Sequence, residues 1–248
     1  MGIPHRRYLL ILGVVFAAWW TFLAIAPWHR DVWLTENVLV LLAVAFLAGF
    51  HRRLLFSRVS YSLIFIFMCL HQVGAHFSYA EVPYDAWFHN RTGETFSDYM
   101  GWERNHFDRV VHFSYGLLLA YPVREIFLRV ADVRGFWGYF LPLDLTMSSS
   151  MLFELLEWLV AEVFGGGLGQ AYLGTQGDVW DAHRDMALAS LGALIAMLVT
   201  VALNWRFQRD FNREWADSFR VKHKAPLGED ALERMARRLR RRFKRRHR

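Results

Sequence analysis

Six stretches of the chain, 8–26, 33–50, 60–77, 107–127, 142–161 and 185–205, are apolar runs of the length, about 20 helical residues, that crosses a hydrocarbon core. A spanning segment must satisfy its backbone polar groups internally, so runs of this kind fold as helices. The expected fold is therefore all-α: a polytopic membrane protein of six transmembrane helices. A composition of 54% hydrophobic and 17% aromatic residues fits a bilayer better than a soluble domain. The fifth run is the least apolar, since it carries Ser148, Ser149, Ser150, Glu154 and Glu157. It needs its neighbours to stay inserted.

Orientation follows from Lys and Arg in the short loops, which are in excess on the cytoplasmic side. One side holds Arg6 and Arg7, then Arg52, Arg53 and Arg58, then Arg124, Arg129 and Arg134, then the C-terminal tail. The other holds Arg30, Arg91, Arg104 and Arg184. Both termini are expected in the cytoplasm. Trp28, Trp33, Trp87, Trp102, Trp158 and Trp180 fall near the opposite boundary, as an interfacial belt would. The localisation implied is the inner, or plasma, membrane of a bacterium.

The first run imitates a secretory signal, with His5, Arg6 and Arg7 ahead of an apolar core and Ala24-Ile25-Ala26 at its end. Its core exceeds the usual 7–15 residues or so, and Trp19 and Trp20 suit a retained span. Cys69, the single cysteine, lies within the third run and reads as a small buried apolar residue.

Charge divides the chain into a membrane domain, 1–205, and a basic cytoplasmic tail, 206–248. From Trp205 onward there are 16 Lys and Arg against 6 Asp and Glu, which leaves the rest mildly acidic. In the tail Leu232, Met235, Leu239 and Phe243 recur at helical spacing among arginines. Such a basic amphipathic helix anchors on anionic lipid of the inner leaflet, and the adjacent membrane argues against nucleic acid as its partner.

The chemistry-bearing residues gather toward the outer ends of the later spans. Gln72 and His76 share a face of the third, while His71 points elsewhere. Asp108 and His112 stand one turn apart in the fourth, flanked by Arg104 and Arg109. Glu154 and Glu157 share a face of the fifth, with Ser150 one turn below. A start at Pro142 puts these glutamates roughly 18 and 22 Å along their helix. A glycine-rich link then leads to Asp178, Asp181, His183 and Asp185, the last also suited to capping the sixth helix. Beyond it Ala189, Gly192, Ala193 and Ala196 form a small-residue seam for close packing. The long outer loop, 79–106, mixes aromatic and acidic residues, as a lid or a surface helix would.

Ionisable groups at membrane depth point to function by default. So many carboxylates repel unless arginines or a cation compensate them. Oxygen ligands with one or two imidazoles suit Zn, Mn or Fe about equally. The expectation is one or two divalent ions held by His76, Asp108, His112, Asp178, Asp181, His183 and Asp185, with Glu154 and Glu157 as catalytic acid or base acting on a lipid or envelope precursor. Two alternatives remain: a metal-free structural network, and an ion or solute transporter, though the inner halves of spans four to six offer little beyond Asp144 for a through-path. No GxxxxGK, HExxH or CxxC pattern is present.

The segments RNHFDRVVHF, ELLEW and YLGTQGDVWDAHRDM resemble those of the YjdF-like family of bacterial inner-membrane proteins. The likeness runs from the third span to the sixth, and YLGTQGD-WD is its most specific piece. More loosely, D-R-x-x-H followed by a span beginning at an Asp is similar to VanZ-like proteins, a family linked with glycopeptide tolerance. The resemblance implies a polytopic inner-membrane protein and no particular reaction, and it does not extend to the basic tail.

Overall fold

In the computed structural model, residues 3–164, 175–222 and 228–246 are described, with side chains as far as 238 except at 230. Among them all regular structure is helical, with no strand. In order these are α1 (His5–Leu23), α2 (Arg30–Phe50), α3 (Arg58–Phe77), a 3₁₀ turn (Tyr79–Glu81), α4 (Tyr84–Thr92), α5 (Phe96–Met100), α6 (Phe107–Val130), α7 (Trp137–Phe164), α8 (Asp181–Phe207), α9 (Phe211–Asp217) and α10 (Glu229–Arg246).

Four helices, α1, α2, α3 and α8, are long and apolar enough to cross a membrane on length and hydropathy alone. The fourth and fifth apolar runs form α6 and α7, which at 24 and 28 residues have the length but carry ionisable residues within it. The long loop folds as the short helices α4 and α5. Of the glycine-rich link, residues 165–174 lie outside the described residues.

Two local expectations are corrected. Pro142 does not start its helix: α7 begins at Trp137, so Glu154 stands about 26 Å along it. So near the N-terminus, Pro142 frees only an early carbonyl, which a helix tolerates better than a break at its middle. Nor does Asp185 cap α8, which starts one turn earlier at Asp181 and buries Asp185 to 2% exposure.

The small-residue seam sets the architecture. A Cβ added to Gly116 of α6 would stand 1.8 Å from the Ala189 carbonyl oxygen, and one on Gly192 of α8 would stand 2.2 Å from that of Phe113. Only glycine lets the two backbones meet so closely. Below the crossing Ala120, Ala193 and Met197 bury against Tyr139 of α7. Both helices begin at the same end of the bundle, and His112 and Asp185 each precede their crossing partner, Gly116 and Ala189, by one turn. The seam therefore holds these two side chains at one depth.

α3 packs on α6, and its first turn is fastened there. Glu125 of α6 accepts from the Ser57 amide at 2.8 Å and the Ser60 hydroxyl at 2.6 Å. α1 and α2 pack on α3, whereas no Cα of α2 comes within 8 Å of one of α7. At the far end α8 continues into α9, whose Trp215 stacks on Phe211 and meets Phe136 and Tyr139 edge-on or tilted. Ser218 secures this fold-back by accepting from the Phe136 amide and, through its carbonyl, from the Trp137 indole. The chain just beyond Trp205 is thus packed against the start of α7.

Candidate functional site

The end of the bundle where α6 and α8 begin gathers most of the predicted acids, and it sorts them into two groups. Asp178 and Asp181 belong to the first, in which arginines compensate every carboxylate. Arg104 lies 2.7 Å from Asp181 and 3.5 Å from Asp178, and Arg109 lies 2.5 Å from Asp178 and 3.5 Å from Asp181. Arg184 makes a further ion pair with Asp178. The Trp180 backbone amide donates to Asp178, and with the Arg184 and Arg109 charges it holds that carboxyl below the usual range. The loop is sewn to the start of α6 by reciprocal bonds: Gln176 accepts from the Asn105 amide and donates to its carbonyl, both at 3.0 Å, and Arg104 donates to the Thr175 carbonyl.

His106, at the cap of α6, is held neutral by the same geometry. Its Nδ1 donates to the Arg104 carbonyl at 2.8 Å, which leaves Nε2 to accept from Arg109 at 2.6 Å. Burial, with the two arginines, lowers its affinity for a second proton.

The second group lies one turn deeper and forms no ion pair with an arginine. His112 Nε2 stands 3.5 Å from Asp108 Oδ1 of its own helix and 3.4 Å from Glu154 Oε1 of α7. Asp108, His112 and Asp185 each bring one ligand atom to within 4.8 Å of the others. His112, Glu154 and Asp185 are buried, and Asp185 Oδ1 and Glu154 Oε1 have no hydrogen-bond partner. Buried carboxylate oxygens without a hydrogen bond are costly; Asp181 Oδ1 is another, but Arg104 lies 2.7 Å from it, whereas no arginine stands so close to Asp185 or Glu154, which calls for a compensating group.

This cluster borders a cavity of about 450 Å³ enclosed by α2, α3, α6 and α7. Asp108, His112 and Glu157 line its polar end, together with Glu36 and His71. Neither Glu36 nor His71 was singled out as a site residue from sequence. Glu36 is 3% exposed, with Oε2 4.0 Å from His71 Nε2, and His71 Nε2 also faces the Glu36 carbonyl at 3.3 Å. Tyr79 hydroxyl closes on His71 Nδ1. The signal was present, since an ionisable residue in each of two adjacent apolar runs implies a facing pair.

Besides the ion-paired Asp178 and Asp181, two more predicted ligands stay out of the cluster. His76 donates from Nδ1 to the Leu23 carbonyl at 2.8 Å, at the α1–α2 turn. His183 lies on the exposed side of α8, edge-on to Trp180.

An all-helical bundle with several span-length apolar helices and buried ionisable groups at one end defines the class: a multi-pass membrane protein. Residues 8–206 match the family described as "Predicted membrane protein (DUF2238)", and the chain belongs to that family. Inner membrane protein YjdF of Escherichia coli (strain K12) is 34% identical over 191 residues, 77% of this chain and 87% of that protein. The chain is accordingly a multi-pass inner-membrane protein. No solved structure matches it.

Proposed function

We propose that the protein spans the inner membrane six times with both termini in the cytoplasm, and that the buried cluster is a divalent metal site, open toward the periplasm, that acts on a lipid or envelope precursor. The observation that carries this reading is the pair of unpartnered buried oxygens, Asp185 Oδ1 and Glu154 Oε1, facing His112. Asp108, His112 and Asp185 are the ligands, and Glu154 completes the set. The mixture of carboxylates and imidazole suits Zn, Mn or Fe. Such an ion supplies Lewis acidity toward a headgroup oxygen and acidifies water. Glu157, which lines the cavity, serves as the base that takes a proton from the attacking group. The membrane unit is 1–205, and the basic segment 206–248 rests on anionic inner-leaflet lipid.

Elemental analysis of protein purified without metal-affinity resin tests the site. Wild type is expected to carry a stoichiometric transition metal, and Asp185→Asn and Glu154→Gln to lose most of it while keeping their elution volume. Folded wild type that holds no metal after incubation with Zn, Mn and Fe salts would overturn the reading. The ion-paired group favours a second, structural reading for Asp178 and Asp181: their role is to dock the loop, not to ligate.

A further inference from the structure

The cavity is sorted along its length. At the end beside the acidic cluster it presents Glu36, His71, Asp108, His112 and Glu157; toward the other end its wall is Phe46, Leu47, Phe56, Ile64, Val123 and Ile126. From Glu36 to Leu47 the wall runs about 16 Å, and from Asp108 to Ile126 about 27 Å, at 1.5 Å per helical residue. A hydrocarbon core is about 30 Å thick, so the space reaches from one interface past the midplane. The cavity also opens sideways. α2 and α7 both line it but do not pack together. Leu39 and Phe46 of α2 and Leu152 and Leu156 of α7 line it and are 38–55% exposed. These four residues frame a slot at membrane depth, facing the acyl chains of the bilayer.

We propose that a phospholipid-type amphiphile enters through the slot between α2 and α7, lays one acyl chain along the apolar wall toward Phe56, and brings its phosphate to the Asp108–His112–Asp185 cluster. The argument for the chain is the apolar lining and its lateral continuity with lipid. A water-soluble solute would gain nothing from that wall, whereas each buried methylene of a chain is favourable. The argument for phosphate is charge: the carboxylates repel an anionic headgroup unless a cation lies between them, and hard divalent ions take phosphate oxygens. The headgroup assignment therefore rests on the metal reading above; the chain assignment does not.

The test uses full-length protein in nanodiscs of phosphatidylethanolamine and phosphatidylglycerol, doped with a phosphatidylethanolamine whose acyl chain carries a diazirine. After irradiation, labelled peptides are mapped by mass spectrometry. Phe56 and Met68, which line the cavity but are 3% and 8% exposed, report occupancy; Leu10 and Val14 of α1, which are 65% and 59% exposed, report bulk lipid. Wild type is expected to label at Phe56 or Met68. The slot-narrowing double variant Leu39→Trp/Leu152→Trp should label there at least tenfold less, with α1 labelling and metal content unchanged. Labelling confined to outward-facing residues, or inner-wall labelling equal in the double variant, would overturn lipid entry. A diazirine diacylglycerol that competes equally with the phospholipid would overturn the phosphate assignment. Metal lost in Asp185→Asn with inner-wall labelling kept supports chain entry independent of the ion. Metal present in wild type without inner-wall labelling sinks the lipid proposal and spares the metal site.

Discussion

Two acidic groups one helical turn apart solve the same electrostatic problem in opposite ways. Asp178 and Asp181 sit among Arg104, Arg109 and Arg184, so the protein supplies its own counter-charge and the arrangement is closed. Asp108, Glu154 and Asp185 form no ion pair with an arginine; His112 stands beside Asp108 and Glu154, and Asp185 Oδ1 and Glu154 Oε1 accept no hydrogen bond. A closed network fixes structure. An open one is poised to receive a charge from outside, which is the physical difference between a dock and a site.

The comparison is broken most severely on the closed side. Arg104→Ala leaves Asp178 and Asp181 short of a cation where all three side chains are mostly buried, with 13%, 11% and 5% exposure. Removing one buried partner from such a lattice is destabilising even with Arg109 and Arg184 still in place, so the thermal unfolding temperature in detergent should fall. A variant as stable as wild type would mean the lattice contributes no net charge compensation.

The open side should behave with the opposite sign. With chelator present, Asp185→Asn removes an uncompensated buried carboxylate, so the variant should match or exceed wild type in unfolding temperature. With metal added to 100 times its Kd, wild type should gain about 2.7 kcal/mol and the variant almost nothing. Equal metal-induced shifts in both proteins would place the ion elsewhere.

A third variant strikes both groups through the backbone. Gly116→Ala pushes a methyl into the Ala189 carbonyl, which must move because the gap is 1.8 Å. Overpacking of this kind costs about 1–3 kcal/mol, and it shifts α6 against α8, which carry His112 and Asp185. Metal affinity should fall with stability here, whereas Asp185→Asn separates the two.

The sequence discloses these groups unequally. Apolar length located the helices to within a few residues, because the bilayer imposes a period and a length that few other settings require. Small residues at Ala189, Gly192 and Ala193 marked the seam, although Gly116, its partner, carries no sign of its own outside the fold. Which acids pair with arginine is not written in spacing: Asp181 and Asp185 look alike on one helix, and only the docking of 102–106 against 175–181 gives one of them to Arg104. Glu36 and His71 lie in different apolar runs, and their meeting depends on how α2 leans on α3. His76 looked eligible by depth but turns toward α1.

The smallest effect concerns acid. Asp178 lies in the loop, and its carboxyl is held below the ordinary range by the Trp180 amide and the neighbouring arginines. A carboxyl lowered by folding contributes stability that is fully present above its unfolded pKa, about 3.9, and is lost as pH falls through the lower folded value. Loop docking should therefore be flat from neutral pH to about 4 and weaken only below it. Hydrogen exchange at the Asn105 amide, which donates across this junction, and at the Trp180 amide, which donates to Asp178 itself, reads the docking directly. Protection that declines between pH 7 and 5 in wild type, and equally in Asp178→Asn, would show that some other group titrates first and that the arginine lattice does not govern the loop.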